Sequence, residues 1–173
     1  MWYLDENGEG HKDEYRPIIR YNVPLYNSSG TNLCWSFCEE MISSYKEGKV
    51  YTQRQAKRNS IERSKIINGS QKRSEWNVMG WPSDAGEPIE VRSIRELCYI
   101  LVIYGPLYAN YQRDKGGHCI VVTGVDVNND IVFTNNPWGI QGEQSFSEFT
   151  NGVARRWFDP WYEYQLIAVY PSC

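Results

Sequence analysis

The 173-residue sequence lacks the features that mark several classes of protein. It carries 18 basic and 21 acidic side chains, a net charge of -3, so no positive excess points to nucleic acid or to an anionic membrane. No apolar run approaches the roughly 20 residues that cross a bilayer, and residues 1–14 lack the basic and apolar regions of a signal peptide. We therefore expect no nucleic-acid partner and no membrane insertion.

Metal ligands are also scarce. The chain has only two histidines and no C-x-x-C pair, so we expect no metal site and no cofactor. An odd number of cysteines cannot all pair within one chain, and a protein of this size does not require disulfides. The five cysteines are Cys34, Cys38, Cys98, Cys119 and Cys173.

Apolar residues recur at helical spacing in the first half of the chain. One predicted helix runs from about Leu33 to a stop at Gly48, and a second covers about 52–67. A third is expected after Pro88, because proline suits the first turn of a helix. Its predicted buried face consists of Ile94, Leu97, Cys98, Leu101 and Val102.

The second half is rich in β-branched and aromatic residues, which favour strands. Strands are predicted at 106–112, 118–127, 130–136 and 162–170, with a hairpin connection between the second and third. We therefore predict an α+β protein forming one domain over 1–173. It comprises a polar lead-in at 1–20, a mainly helical lobe at 21–104 and a mainly β lobe at 105–173, with any active cleft between the lobes.

Cys34 stands where a turn-rich loop becomes the first helix, in GTNLCWSFCEEM. Such a cysteine is often only a small core residue. At a helix start, however, unpaired amides and the helix dipole favour the thiolate, which is the nucleophilic form. The position therefore makes Cys34 a candidate nucleophile if a base is present elsewhere.

His118 is the better of the two histidines for that role. It opens an apolar strand directly after Gly116 and Gly117, whereas His11 lies in a polar segment. Asn136 ends the next predicted strand, so a hairpin would bring its side-chain oxygen to one imidazole nitrogen, with Trp138 covering the bond. Taken singly, these residues also fit a structural histidine, a turn and a core tryptophan.

Together, the order of Cys34, His118 and the run NPWG from Asn136 resembles the papain-like cysteine peptidases. NLCWSFC is similar to the block at the head of that family's central helix. GGHCIVVTGV with NNPWG looks closest to the bacterial branch that contains bacteriocin-leader peptidases and compact effector proteases. The resemblance implies a helical lobe packed on an antiparallel β lobe, catalysis by Cys34, His118 and Asn136, and support from Trp35, Trp138 and Gly117.

One position departs from the family pattern. The family has an oxyanion-binding glutamine six residues before the cysteine, where this chain has Ser28, preceded by Asn27. Losing one oxyanion donor costs about 100- to 1000-fold in rate. Either Asn27 takes the role through a shifted loop, which we favour, or the enzyme is slow or altered.

The leading functional prediction is a monomeric cysteine peptidase that cleaves proteins or peptides through an acyl-thioester. One alternative uses the same intermediate for transamidation or glutamine deamidation, and another is a catalytically weakened peptide-binding domain. From the resemblance, and from a chain that reads as an excised or processed protein, we expect secretion or delivery out of a bacterial cell. We expect specificity to come from a loop and strand segment that contain Trp76, Trp81, Asp84, Gln112 and Arg113.

Overall fold

The computed structural model describes the backbone of residues 2–4, 10–12, 18–66, 91–113 and 116–153. Side chains are described for 18–65, 91–109 and 118–150. The predicted strand at 162–170, Cys173 and the proposed specificity residues Trp76, Trp81 and Asp84 lie outside these ranges. Gln112 and Arg113 are described by their backbone alone.

The first two helices closely match the pattern in the sequence. Helix α1 spans Cys34–Glu47 and helix α2 spans Gln53–Ile66. Helix α1 ends at Gly48, which adopts a left-handed conformation with φ 65° and donates its N–H to a carbonyl of the last turn. Glycine suits this C-terminal position because the left-handed conformation strains residues that carry a Cβ.

Helix α3 spans Ile94–Tyr104 and begins with a capping box. The Ser93 side chain accepts a hydrogen bond from the Glu96 N–H, and the Glu96 carboxylate accepts one from the N–H of Arg92. The predicted start after Pro88 lies outside the described residues. The predicted buried face was wrong at Val102, which is 39% exposed, whereas Ile100 is buried.

Seven strands are described. Strands β1 (Trp2–Leu4) and β2 (Gly10–Lys12) form an antiparallel pair within the predicted lead-in. The main sheet contains β3 (Ile18–Arg20), β4 (Leu107–Arg113), β5 (Gly116–Asp126), β6 (Ile131–Asn136) and β7 (Ile140–Gln144). A final helix, α4, covers Phe146–Val153. The sequence prediction missed β1, β2, β3, β7 and α4.

Strand β5 is the centre of the main sheet. It pairs with β4 along its first part, with β3 along its last part and with β6 on its other edge, all antiparallel. The pairing with β6 shifts register between Val122 and Gly124, which is a β-bulge. Gly124 is required there because a Cβ would lie 2.0 Å from the Ile19 carbonyl oxygen on β3.

The sheet is covered by helices on both faces. Cys119 and Val121 of β5 pack with residues of α1 and α2, whereas Ile120 and Val122 pack with residues of α3 and α4. This alternation follows from the two-residue period of a strand. Val125, beyond the bulge, joins the second cluster because the extra residue reverses the alternation. The fold is thus α+β, with helices first and strands after, and α1 packs directly on β5.

Candidate active site

The turn between β6 and β7 presents the asparagine that sequence analysis singled out. Asn136 is the last residue of β6, and its Oδ1 accepts the N–H of Trp138 at 3.1 Å. The N–H of Gly139 donates to the Asn136 carbonyl, closing the turn, and Gly139 has φ +80°. Asparagine is favoured here because its short side chain can accept a bond from the backbone two residues on. The turn therefore holds the Asn136 amide in one orientation.

His118 lies within hydrogen-bond distance of that amide. Its Nε2 is 2.8 Å from Asn136 Oδ1. The Trp138 N–H independently identifies this atom as the oxygen, which can only accept, so His118 Nε2 must carry the proton. The neutral imidazole then has its lone pair on Nδ1. One backbone contact thus determines which nitrogen of His118 can act as a base.

Trp138 covers the histidine. The ring centroids of His118 and Trp138 are 4.4 Å apart and the ring planes are tilted by 34°. His118 is only 3% exposed, while Trp138 is 39% exposed and borders the solvent. The continued β5–β6 register explains this contact: Val121 pairs with Asn135, so His118 falls opposite Trp138. The indole shields the His118–Asn136 bond from water, which strengthens it.

Cys34 is the first residue of α1. Leu33 precedes it without a capping side chain, and the first turn of α1 has no acidic residue. The helix start therefore offers backbone N–H groups and a positive dipole end to an anionic sulfur. Cys34 is disulfide-bonded in this structure, so its thiolate becomes available only after reduction.

The segment before α1 joins the β6–β7 turn. Asn27 forms an antiparallel bridge with Trp138, and the Ser28 N–H donates to the Pro137 carbonyl. The Asn27 side chain lies against Gly139, where a Cβ would come within 3.0 Å of Asn27 Nδ2. The structure thus brings both residues proposed for the oxyanion role next to the turn that holds His118.

Asn27 and Ser28 differ in their exposure. Ser28 is 2% exposed, whereas Asn27 is partly exposed. Asn27 Oδ1 accepts the Ser29 N–H at 2.8 Å, so the other polar group of its amide is the donor Nδ2. The Ser28 carbonyl accepts both the N–H and the hydroxyl of Thr31, which leads the chain into α1.

The remaining supporting residues lie on the same elements. Trp35 follows Cys34 on α1 and is buried in the cluster between α1 and the sheet. Gly117 lies at the start of β5, opposite Gln112 of β4. Neither residue is described with a contact to the His118 side chain, so their supporting role stays a prediction.

The other described cysteines have core environments. Burial raises the pKa of the Cys38 thiol well above its ordinary value, with further contributions from Cys119 and Glu39. Burial also raises the pKa of Cys98, on α3. The Tyr108 hydroxyl donates to the Cys119 sulfur at 2.7 Å. These environments stabilise the neutral thiol, which is the unreactive form.

Ion pairs that the sequence did not reveal fasten α2 to α1. Arg63 Nη1 is 2.9 Å from the Glu40 carboxylate, and Arg63 Nε is 3.7 Å from the buried Glu39 carboxylate. Asn59 Nδ2 donates to Glu40 at 3.0 Å. Within the described ranges, no group of three or more His, Cys, Asp or Glu residues is arranged to hold a metal ion. The helices that are described include none with the length and apolar character of a membrane span.

Comparison with known proteins agrees with this geometry. A family model described as papain-like cysteine protease AvrRpt2 matches residues 17–154, a range that contains Cys34, His118 and Asn136. No curated protein and no solved structure matches the chain significantly. The family consists of bacterial effector proteases that are delivered into host cells. Because the match covers most of the chain, this protein belongs to the papain-like cysteine protease AvrRpt2 family and is a cysteine peptidase.

Proposed function

We propose that this protein hydrolyses peptide bonds with Cys34 as the nucleophile, His118 as the acid and base, and Asn136 as the residue that orients the imidazole. The observation that carries the proposal is the bond between His118 Nε2 and Asn136 Oδ1, with the oxygen identified by the Trp138 N–H. This arrangement leaves Nδ1 to accept the thiol proton, as a nucleophile–base pair requires.

The reaction follows from these roles. His118 Nδ1 takes the proton of reduced Cys34, and the thiolate attacks the carbonyl carbon, forming a C–S bond and an oxyanion. The C–N bond then breaks, and the imidazolium gives its proton to the leaving amine. His118 next deprotonates a water molecule that attacks the thioester, and breakage of the C–S bond returns the thiolate.

Asn27 is the better candidate for the side-chain oxyanion donor. Ser28 is almost fully buried, so a substrate oxygen has little access to its hydroxyl. Asn27 is partly exposed, and its Oδ1 is committed to the Ser29 N–H, which leaves Nδ2 as the donor. The backbone N–H of Cys34, at the uncapped start of α1, would supply the second donor.

The proposal is tested by incubating the reduced full chain with a peptide library and identifying the fragments by mass spectrometry. We expect cleavage by the unmodified protein and none by Cys34→Ala. Cys98→Ala is the matched control, because it removes a thiol from α3 on the opposite face of the sheet. Cleavage that persists in Cys34→Ala would refute the proposal. Ammonia release without chain cleavage would instead support deamidation or transamidation, and binding without either product would support a peptide-binding domain.

We further propose that the natural substrate is a protein of the host cell and that this protein leaves the bacterium that makes it. Membership of an effector protease family supports both statements. The test is a reporter fusion to the full chain, expressed in its bacterium during contact with host cells. Reporter activity inside the host supports delivery, and activity confined to the bacterium contradicts it.

A further inference from the structure

Gln53, the first residue of α2, binds the backbone of Asn27 with both ends of its side-chain amide. Gln53 Oε1 accepts the Asn27 N–H at 2.8 Å, and Gln53 Nε2 donates to the Asn27 carbonyl. The side chain thus makes the pair of hydrogen bonds that a neighbouring strand would otherwise make. A residue in a loop is unusually well fixed when both of its backbone polar groups are bonded in this way.

The opposite edge of Asn27 is also held. It bridges Trp138, and the next residue, Ser28, donates its N–H to Pro137. Asn27 is therefore clamped between the start of α2 and the turn that carries Asn136. With the backbone fixed on both edges and Oδ1 bonded to the Ser29 N–H, the direction of Nδ2 is fixed as well.

Helix α2 provides a firm base for this clamp. The Ser36 hydroxyl of α1 donates to the Ser60 carbonyl of α2 at 2.8 Å, and Arg63 pairs with Glu40 of α1. The first turn of α2 is fixed by a reciprocal cap between Thr52 and Gln55. Since α1 begins with Cys34, helix α2 connects the helix that carries the nucleophile to the loop that carries Asn27.

We propose that Gln53 is a positioning residue for catalysis: it sets the Asn27 amide at the distance from Cys34 that a developing oxyanion requires. Gln53 does not itself contact the substrate. This inference rests on the proposed function, in which Asn27 donates to the oxyanion. It assigns part of the role of the missing family glutamine to two residues, with Asn27 as the donor and Gln53 as its support.

The expected signature is a loss in kcat with little change in KM, because an oxyanion donor acts on the transition state more than on bound substrate. Asn27→Ala should lower kcat by about 100- to 1000-fold. Gln53→Ala should lower it by about 10- to 100-fold, since a displacement of about 1 Å in a catalytic group costs up to that much. Gln53→Glu should also be impaired near neutral pH, because a carboxylate cannot donate to the Asn27 carbonyl.

Gln55→Ala is the matched control. Gln55 lies two residues further along α2 and bonds only within the helix cap, so its loss weakens the start of α2 without touching Asn27. We expect kcat near that of the unmodified chain, with a lower melting temperature. If Gln55→Ala lowers kcat as much as Gln53→Ala, the effect comes from helix stability and the inference is overturned.

A double-mutant cycle separates this inference from the proposed function. In the Asn27→Ala background, Gln53→Ala should have little further effect on kcat, because the donor that it positions is gone. If Asn27→Ala lowers kcat but the two losses multiply, Asn27 keeps its role and Gln53 is not its support. If Asn27→Ala leaves kcat unchanged, the oxyanion assignment and the positioning role both fail, while peptide cleavage by Cys34 stands. If Cys34→Ala still cleaves, the proposed function itself fails.

Discussion

Cys34 and Cys38 lie one turn apart on α1, yet their surroundings favour opposite protonation states. Cys34 begins the helix, beside backbone amides that no side chain caps. Cys38 is fully buried, and burial, Cys119 and Glu39 together raise its pKa well above the ordinary value. The residue type is the same in both cases. The comparison shows that position relative to the helix end and to solvent decides which cysteine is suited to catalysis.

The largest expected effect comes from removing each thiol in turn. Cys34→Ala should lower peptide hydrolysis by at least about 10⁴-fold, because the nucleophile is lost. Cys38→Ala should keep most of the activity and lower the free energy of unfolding by about 1 kcal/mol through a small cavity. Steady-state hydrolysis and urea denaturation of the reduced proteins measure the two quantities. Equal losses of activity would show that the contrast between the two cysteines has no catalytic meaning.

A second comparison concerns the neighbouring residues Asn135 and Asn136. Asn135 is buried and donates to the Val23 carbonyl at 3.0 Å, whereas Asn136 accepts from His118 and from the Trp138 N–H. Asn136→Ala should lower kcat about 100-fold, because the ring can then turn away from its working position. Asn136→Asp should recover most of that loss, since a carboxylate also accepts from Nε2.

Asn135→Ala serves as the control in the same kinetic assay. Its loss leaves a buried carbonyl without its donor, which costs about 1–3 kcal/mol of stability, and it should change kcat little below the melting temperature. An Asn135→Ala variant that is stable but as slow as Asn136→Ala would contradict the division of roles between these residues.

Alkylation rates give a third test of the contrast between cysteines. After reduction and removal of the reductant, iodoacetamide at pH 6 should modify Cys34 at least about tenfold faster than Cys38 or Cys98. Only thiolate reacts, and the raised pKa values of Cys38 and Cys98 lower their thiolate fraction at any given pH. Their labelling should therefore increase as the pH rises, whereas that of Cys34 should already be high.

Peptide mapping by mass spectrometry reports each cysteine separately. His118→Ala is the informative variant, because it removes the imidazolium that would stabilise the Cys34 thiolate, and labelling of Cys34 at pH 6 should then decrease. Labelling that is unaffected by His118→Ala would indicate that the helix end alone activates the sulfur and would weaken the proposed pairing.

The sequence was sufficient to predict α1 and α2, because their apolar spacing and the stop at Gly48 are local features. The face of α3 was less predictable. Its sequence, IRELCYILVIY, is apolar on nearly every side, so periodicity could not distinguish Ile100 from Val102. Strand β7 has few β-branched or aromatic residues and mostly exposed positions. It forms because it continues the register of β6 beyond a tight turn, which only the tertiary structure shows.

The candidate site shows the same limit. The hairpin argument predicted that the Asn136 oxygen would accept from His118, and the structure has that bond. Nothing in the sequence distinguishes Gln53 from Gln55, since both are glutamines in the first turn of the same helix. Their difference lies in a contact with Asn27, 26 residues earlier, so only the folded chain reveals it.

The smallest expected effect concerns the indole that covers His118. Trp138→Ala should lower kcat about fivefold, which corresponds to about 1 kcal/mol of hydrogen-bond strength lost when water reaches the His118–Asn136 bond. Trp138→Phe should lose less, because a ring still covers the imidazole. Ile140→Ala is the matched control: Ile140 is exposed and ends the same turn, opposite Asn136 in the β6–β7 register. A loss in Ile140→Ala equal to that in Trp138→Ala would indicate that any apolar truncation at this turn slows the enzyme, and shielding of the bond would no longer be needed to explain the conserved geometry of the turn with its covering ring.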